Sequence, residues 1–212
     1  MTILAIDTCL GACGVAVGTG DDILAHQCEP MTRGHQERLA PMVQSVMRSA
    51  GLAFTDLTSL AVTVGPGSFT GLRVGLAFAE GLALALDVRC AGVDTLTAMA
   101  AKVATKTPIA AVIDAGRGRV YLGLYQSGAQ IVGPRSLSLE SATRLINDTF
   151  PAAALTLAGP GAHLLSEAHP FAVTAVSDYP DPRDVLKLAA ASPFIPARPL
   201  YLREPDAKVK GA

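Results

Sequence analysis

Val62–Leu86 reads VTVGPGSFTGLRVGLAFAEGLALAL: an apolar run, a glycine-rich turn, then a long apolar helix. Glycine has no Cβ to block positive φ or close chain approach, so Gly65, Gly67 and Gly71 mark a tight turn. A helix opening at such a turn points its first free N–H groups and the positive end of its dipole toward whatever lies before it. The segment has two readings. It cradles a phosphate, or it seats a helix closely against a neighbour. No Lys-Ser/Thr pair follows the last glycine, so there is no Walker A loop. The glycines stand two and four apart, which is not the G-x-G-x-x-G spacing. Gly71, Gly75 and Ala79 recur every four residues and form a small-residue edge that lets another backbone come close.

Working outward, 2–7, 14–18 and 23–27 are short apolar runs separated by turn residues, which predicts three successive strands. From Gly34 to Ala50 the apolar residues Leu39, Met42, Val43, Val46 and Met47 recur at spacings of three and four, which predicts an amphipathic helix ending at Gly51. A buried strand is predicted over 60–64, a helix over 70–86, a strand over 90–93, and a helix to Ala104 capped by Asp94 or Thr95. The pattern then restarts. An apolar run over 109–114 ends in Asp, a small-residue turn follows, and 120–125 is apolar again. This mirrors the first hairpin and predicts two lobes of like topology, each a mixed sheet with flanking helices. The N-terminal lobe is expected over 1–105 and the C-terminal lobe over 106–212. Within the second lobe, helices are expected over 139–147, 162–168 and 183–191, with a strand over 155–158. From about residue 193 the chain is Pro-rich and reads as an extended tail.

Composition excludes some partners. Lys plus Arg number 17 against 18 Asp plus Glu, a net charge of −1, so no strong field would hold a nucleic-acid backbone. Cys9, Cys13, Cys28 and Cys90 match neither a zinc ribbon nor a dense disulfide framework, and read as reduced thiols of a cytoplasmic protein. The N-terminus lacks the basic region of a signal peptide. The most apolar stretch, 74–88, is interrupted by Glu80 and Asp87, and reads as too short to span a membrane.

Chemistry has few candidates. Asp7 and Asp114 each end the first strand of a lobe. Facing each other, they could hold a magnesium ion on nucleotide phosphates; separately, each could cap its own turn. With Thr8, Gly65, Gly67, Ser68, Gly71, Gly116 and Arg117 they outline a possible vestigial nucleotide cleft. His35 would need a second histidine at position 39 to hold a metal, and Leu39 stands there. No metal site and no nucleophile elbow is read.

Six stretches in order resemble the TsaB (YeaZ) family of tRNA threonylcarbamoyladenosine biosynthesis: ILAIDTCLGACGVAV, HQERLAPMV, GPGSFTGLRVGLAFAEGLA, GVDTLTAMA, IDAGRGRVYLGLY and PLYLREPDAK. The resemblance implies the actin, Hsp70 and sugar-kinase (ASKHA) fold. It implies a subunit without catalytic residues or a cofactor of its own, serving a complex that uses ATP and magnesium. That subunit pairs directly with the catalytic relative TsaD, joins the small ATPase TsaE, and meets tRNA only through the complex. TsaD then moves a threonylcarbamoyl group to N6 of an adenosine beside the anticodon. TsaD carries a metal-binding His pair on the helix that here carries His35, and Leu39 agrees with a lost site. The family pairs with TsaD through the first two helices. The resemblance therefore gives Leu39, Met42, Val43, Val46 and Met47 a second meaning beside core, that of a partner surface flanked by Arg73, Leu76, Ala77 and Glu80. The same surface would form a homodimer when TsaD is absent. The alternative is a nucleotide-binding ATPase or phosphotransferase of the same fold.

Overall fold

The computed structural model of the chain describes residues 1–20, 22–151, 154–168, 173–175 and 178–202. The first half folds as β1 (Ile3–Asp7), β2 (Ala12–Thr19), β3 (Asp22–Pro30), α1 (His35–Ser49), β4 (Ser59–Thr63), α2 (Phe69–Leu86), β5 (Arg89–Val93) and α3 (Thr95–Ala101). The second half repeats this as β6 (Ile109–Gly116), β7 (Arg119–Gln126), β8 (Ala129–Ser138), α4 (Leu139–Thr149), β9 (Thr156–Ala158), α5 (His163–Ser166), β10 (Val173–Ala175) and α6 (Pro182–Ala191).

The two sheets run β3-β2-β1-β4-β5 and β10-β9-β6-β7-β8. Written from the third strand of each half, the orders are the same. In each, the first three strands pair antiparallel and the last two join in parallel. The internal repeat read from the sequence is therefore a duplication of topology. Strands β8 and β10 are additions to the sequence reading. β8 is an edge strand with three exposed residues at its start and Gly133-Pro134 within it. Its ladder to β7 holds it in place, so it needs no apolar alternation.

Each sheet buries both faces, and alternate residues of one strand serve different layers. Leu4 and Ile6 of β1 join the cluster under α1 and α2, while Ile3 and Ala5 face Val185 and Leu186 of α6. Likewise Ala110 and Val112 of β6 meet α4 residues Ala142 and Ile146, while Ile109, Ala111 and Ile113 meet Leu96 and Met99 of α3. The third helix of each half therefore packs on the other half's sheet. This corrects the expected boundaries. α3 lies in the sequence range 1–105 but packs with the second sheet, and α6 lies in 106–212 but packs with the first. The expected tail follows α6. Ile195 accepts from Gly92 N at 2.8 Å, Ala197 N donates to Cys90 at 3.2 Å, and Leu200 N donates to Val64 at 2.7 Å. It is a strap stitched along β5 and the end of β4. Of the stretch PLYLREPDAK, positions 203 onward lie outside the described residues.

The helical stripe on α1 is core. Leu39, Met42, Val43, Val46 and Met47 are each at most 2% exposed and share one cluster with β1, β2 and β4. This corrects their reading as a partner surface: burying such a side chain is worth about 1.5–3 kcal/mol, and the sheet already collects it. α2 is long and apolar enough, by length and composition alone, to cross a bilayer, whereas 74–88 by itself is too short. Its edge of Gly71, Leu72, Gly75, Leu76, Ala79 and Ala83 is buried within the lobe.

Candidate functional site

The turn before α2 starts with Gly65 at φ 101°, a left-handed conformation that favours glycine, and a cis bond to Pro66. A Cβ on Gly67 would strike the carbonyl of Cys9, one on Gly71 the carbonyl of Thr8, and one on Gly75 the hydroxyl of Thr8. Each would sit well inside contact distance. The Thr8 hydroxyl donates to the Gly71 carbonyl at 2.7 Å, and Ser68 N donates to the Cys9 carbonyl at 2.7 Å. Ser68 also caps the helix, accepting from Gly71 N at 3.3 Å. The glycines thus seat α2 directly on the loop between β1 and β2. The first face of that loop is occupied by protein, which favours the close-packing reading of the turn.

The two aspartates are in unlike settings. Asp7 is wholly buried. One of its oxygens accepts from Thr63 at 2.6 Å and from Cys9 N at 3.2 Å, while the other has no partner. Burial pushes its carboxyl up to about 6, and those two hydrogen bonds pull the other way. Asp114 is exposed and accepts from Gly116 N at 2.7 Å. Both carboxylates therefore bind the backbone two residues on, the turn-capping role weighed beside the metal-holding one. Arg117 and Gly118, at φ 55° and 70°, form the two-residue tip of the β6–β7 hairpin. Arg119 is turned onto β8, where it donates to the Ser136 carbonyl at 2.7 Å and the Ser136 hydroxyl at 3.2 Å.

From the first loop, Leu10 reaches the apolar cluster of α3 and the second sheet. It places a hydrocarbon side chain of the first half against the second. Asp94 caps α3, as expected of either Asp94 or Thr95, accepting from Leu96 N at 2.8 Å and Thr97 N at 3.2 Å. Gln130 of β8 donates to Asp94 at 3.2 Å, and Thr97 meets the Tyr125 hydroxyl at 3.1 Å. This network fastens α3 to the second sheet. Among the described residues no group of three or more His, Cys, Asp or Glu is placed to hold a metal. The thiols are free. Burial pushes Cys9, Cys13 and Cys90 up to about 12 and Cys28 to about 11, so they are weak nucleophiles.

The outer face of α2 is different. Arg73, Ala77 and Glu80 are exposed there, whereas Leu76 is turned inward. Two large side chains that the sequence reading passed over lie on this surface, Phe69 at 56% and Leu84 at 85% exposure. With Arg73 and Ala77 they step along the helix at spacings of four, four and seven residues, which was the available signal. The C-terminal strap adds to the patch. Arg73 stacks over the Phe69 ring at 3.7 Å and donates to the Tyr201 hydroxyl at 3.3 Å, while the Phe69 and Tyr201 rings lie 5.8 Å apart.

A family model described as "TsaD: tRNA N6-adenosine threonylcarbamoyltransferase" matches residues 23–172. The "tRNA threonylcarbamoyladenosine biosynthesis protein TsaB" of Escherichia coli is 44% identical over 129 residues, 59% of this chain and 55% of that protein. The chain thus spans about half the length of the first curated relatives it matches. The solved structure "YeaZ from Pseudomonas aeruginosa" superposes with a TM-score of 0.79 at 29% identity, covering 95% of this chain and 99% of that one. A ROK hexokinase from Thermus thermophilus shares the fold, with a TM-score of 0.52 at 14% identity over 89% and 97% of the two chains. The duplicated, cross-packed sheets are accordingly the two-lobed actin, Hsp70 and sugar-kinase (ASKHA) fold.

Proposed function

We propose, for a chain that belongs to the TsaB (YeaZ) family within the wider family of the TsaD model, that it acts in threonylcarbamoyladenosine synthesis on tRNA as the non-catalytic partner of TsaD. The observation that carries the partner role is the outer face of α2. Phe69, Arg73, Ala77 and Leu84 offer apolar area around one cation on a helix whose other edge is already packed. Phe69 clusters with Arg73 and Tyr201 at the start of this face and Leu84 stands at its far end, and clustered large exposed side chains mark interaction surfaces more often than those scattered singly. In this reading TsaD docks on α2 with the outward side of α1, TsaE joins the pair, and tRNA is met through TsaD. ATP and magnesium are used by the complex, in the cytoplasm. Without TsaD the same face pairs with a second copy.

Co-elution of the purified chain with TsaD tests this. Leu84→Glu and Ala77→Glu should abolish co-elution and threonylcarbamoyl transfer to tRNA while leaving the far-ultraviolet circular dichroism unchanged. Retained co-elution by both variants refutes the surface. Light scattering should show a mass that rises with concentration and reverts to a one-to-one complex on adding TsaD.

A nucleotide-binding reading draws on Asp7 and Asp114. The enclosure of Asp7 and the reach of Leu10 into the second lobe count against it. Micromolar binding of Mg-ATP, lost on Asp114→Ala, would reverse that order.

A further inference from the structure

The C-terminal strap ends where α2 begins. Leu200 N donates to the Val64 carbonyl at 2.7 Å, and Gly65, having no Cβ, lets the Leu200 carbonyl pass close beside the turn. The next residue, Tyr201, is thereby set beside the start of α2, 50% exposed. Three exposed side chains meet there. The Arg73 guanidinium lies 3.7 Å from the centre of the Phe69 ring, its Nε donates to the Tyr201 hydroxyl at 3.3 Å, and the two rings are 5.8 Å apart. We infer that Tyr201 is a positioning residue of the docking face: it fixes the Arg73 guanidinium so that its two terminal nitrogens are presented to a carboxylate of the partner. This rests on the reading of α2 as the face that meets TsaD.

A surface arginine ordinarily samples many rotamers, and holding it in one costs entropy. Here the Phe69 ring supports the flat face of the guanidinium and the Tyr201 oxygen takes the Nε–H, which leaves a planar fork. Among the described residues the terminal nitrogens of that fork have no hydrogen bond or ion pair, and Glu80, the acidic residue of α2, lies about two turns further along. The setting selects the partner group. Ala77 and Leu84 extend an apolar face past Arg73, so docking takes the guanidinium out of water. A cation desolvated without an anion is strongly unfavourable, and a carboxylate matches the fork with two parallel hydrogen bonds. A fork already fixed gives up less freedom on binding, which is how a residue that never touches the partner raises affinity. Phenylalanine at position 201 would keep the ring and lose only the hydroxyl, so the two parts of Tyr201 can be separated.

The test is a double-mutant cycle on the full chain, with TsaD affinity read by calorimetry and folding by thermal melts. Tyr201→Phe should weaken binding by about three- to tenfold, the scale of one hydrogen bond, and should have no effect in the Arg73→Ala chain. Arg73→Ala should weaken binding by about tenfold or more and flatten the fall of affinity with added salt. The melts should be unchanged, because both side chains are exposed. Three results overturn the positioning role: Tyr201→Phe without effect, an equal loss in both backgrounds, or an unaltered salt dependence in Arg73→Ala. The docking face then still stands if Leu84→Glu abolishes binding. Binding retained by both Leu84→Glu and Ala77→Glu refutes the face itself, and the role of Tyr201 with it.

Discussion

Asp7 shows how one buried side chain sets a pH dependence. Burial raises its carboxyl from the ordinary 3.8 to about 6. The native chain therefore holds this proton more tightly than the unfolded chain. Its contribution to stability is fully present below the unfolded value and is lost as pH rises through about 6. The expected loss between pH ~4 and pH ~7 is on the order of 1–3 kcal/mol. Denaturant unfolding of the wild type and Asp7→Asn across that range measures it, because other carboxylates cancel in the difference. A flat difference curve would remove the effect. The glycines give a second residue-scale contrast. Gly71→Ala drives a methyl into the Thr8 carbonyl and should cost about 3 kcal/mol by overpacking. Gly81 on the same helix has open space, so Gly81→Ala should be stabilising by about 0.5–1 kcal/mol. Thermal melts of the two variants should move in opposite directions. That Gly65, Gly67 and Gly71 form a tight turn was readable from the sequence. That Gly67 and Gly71 approach the Thr8–Cys9 backbone, and Gly65 the Leu200 carbonyl, was not, because those residues are far apart in the chain.

At the scale of elements, α1 and α2 differ in how their sequences report burial. α1 alternates cleanly, and its apolar residues are the buried ones. Periodicity finds such a face because one side of the helix must leave water. α2 is apolar nearly all round, so its pattern does not separate the side that meets the sheet from the side that meets a partner. Its buried edge mixes Gly71, Gly75, Ala79 and Ala83 with Leu72 and Leu76, while Phe69 and Leu84 stay outside. The prediction for α1 follows from the core position of its stripe. Val43→Glu buries a charge with no partner and should cost more than about 4 kcal/mol. It should then fail to bind TsaD by failing to fold, seen as lost cooperativity in the melt. The Leu84→Glu chain should lose TsaD with its melt intact. If the Val43→Glu chain melts like the wild type, the assignment of that stripe to the core is wrong.

Over the whole molecule, the cross-packing of α3 and α6 makes the halves interdependent. A fragment of residues 1–105 leaves the Ile3, Ala5 and Ala16 face of the first sheet uncovered, and carries α3 with no sheet to pack on. It should be poorly soluble, with no dispersed amide spectrum, and mixing with 106–212 should restore one. An independently folded 1–105 fragment would contradict this account. The sequence by itself determined the order of most elements, the duplication and the family, because each is written in local periodicity, turn residues and ordered motifs. Only the tertiary structure decided which glycine faces which carbonyl, that α3 and α6 exchange sheets, and that Asp7 is enclosed. The Val62–Leu86 segment illustrates the division. Its turn and helix are local and legible. Its role as a seat on the β1–β2 loop, with an outward face of Phe69, Arg73 and Leu84, arises from contacts between residues far apart in the chain, which no local pattern encodes.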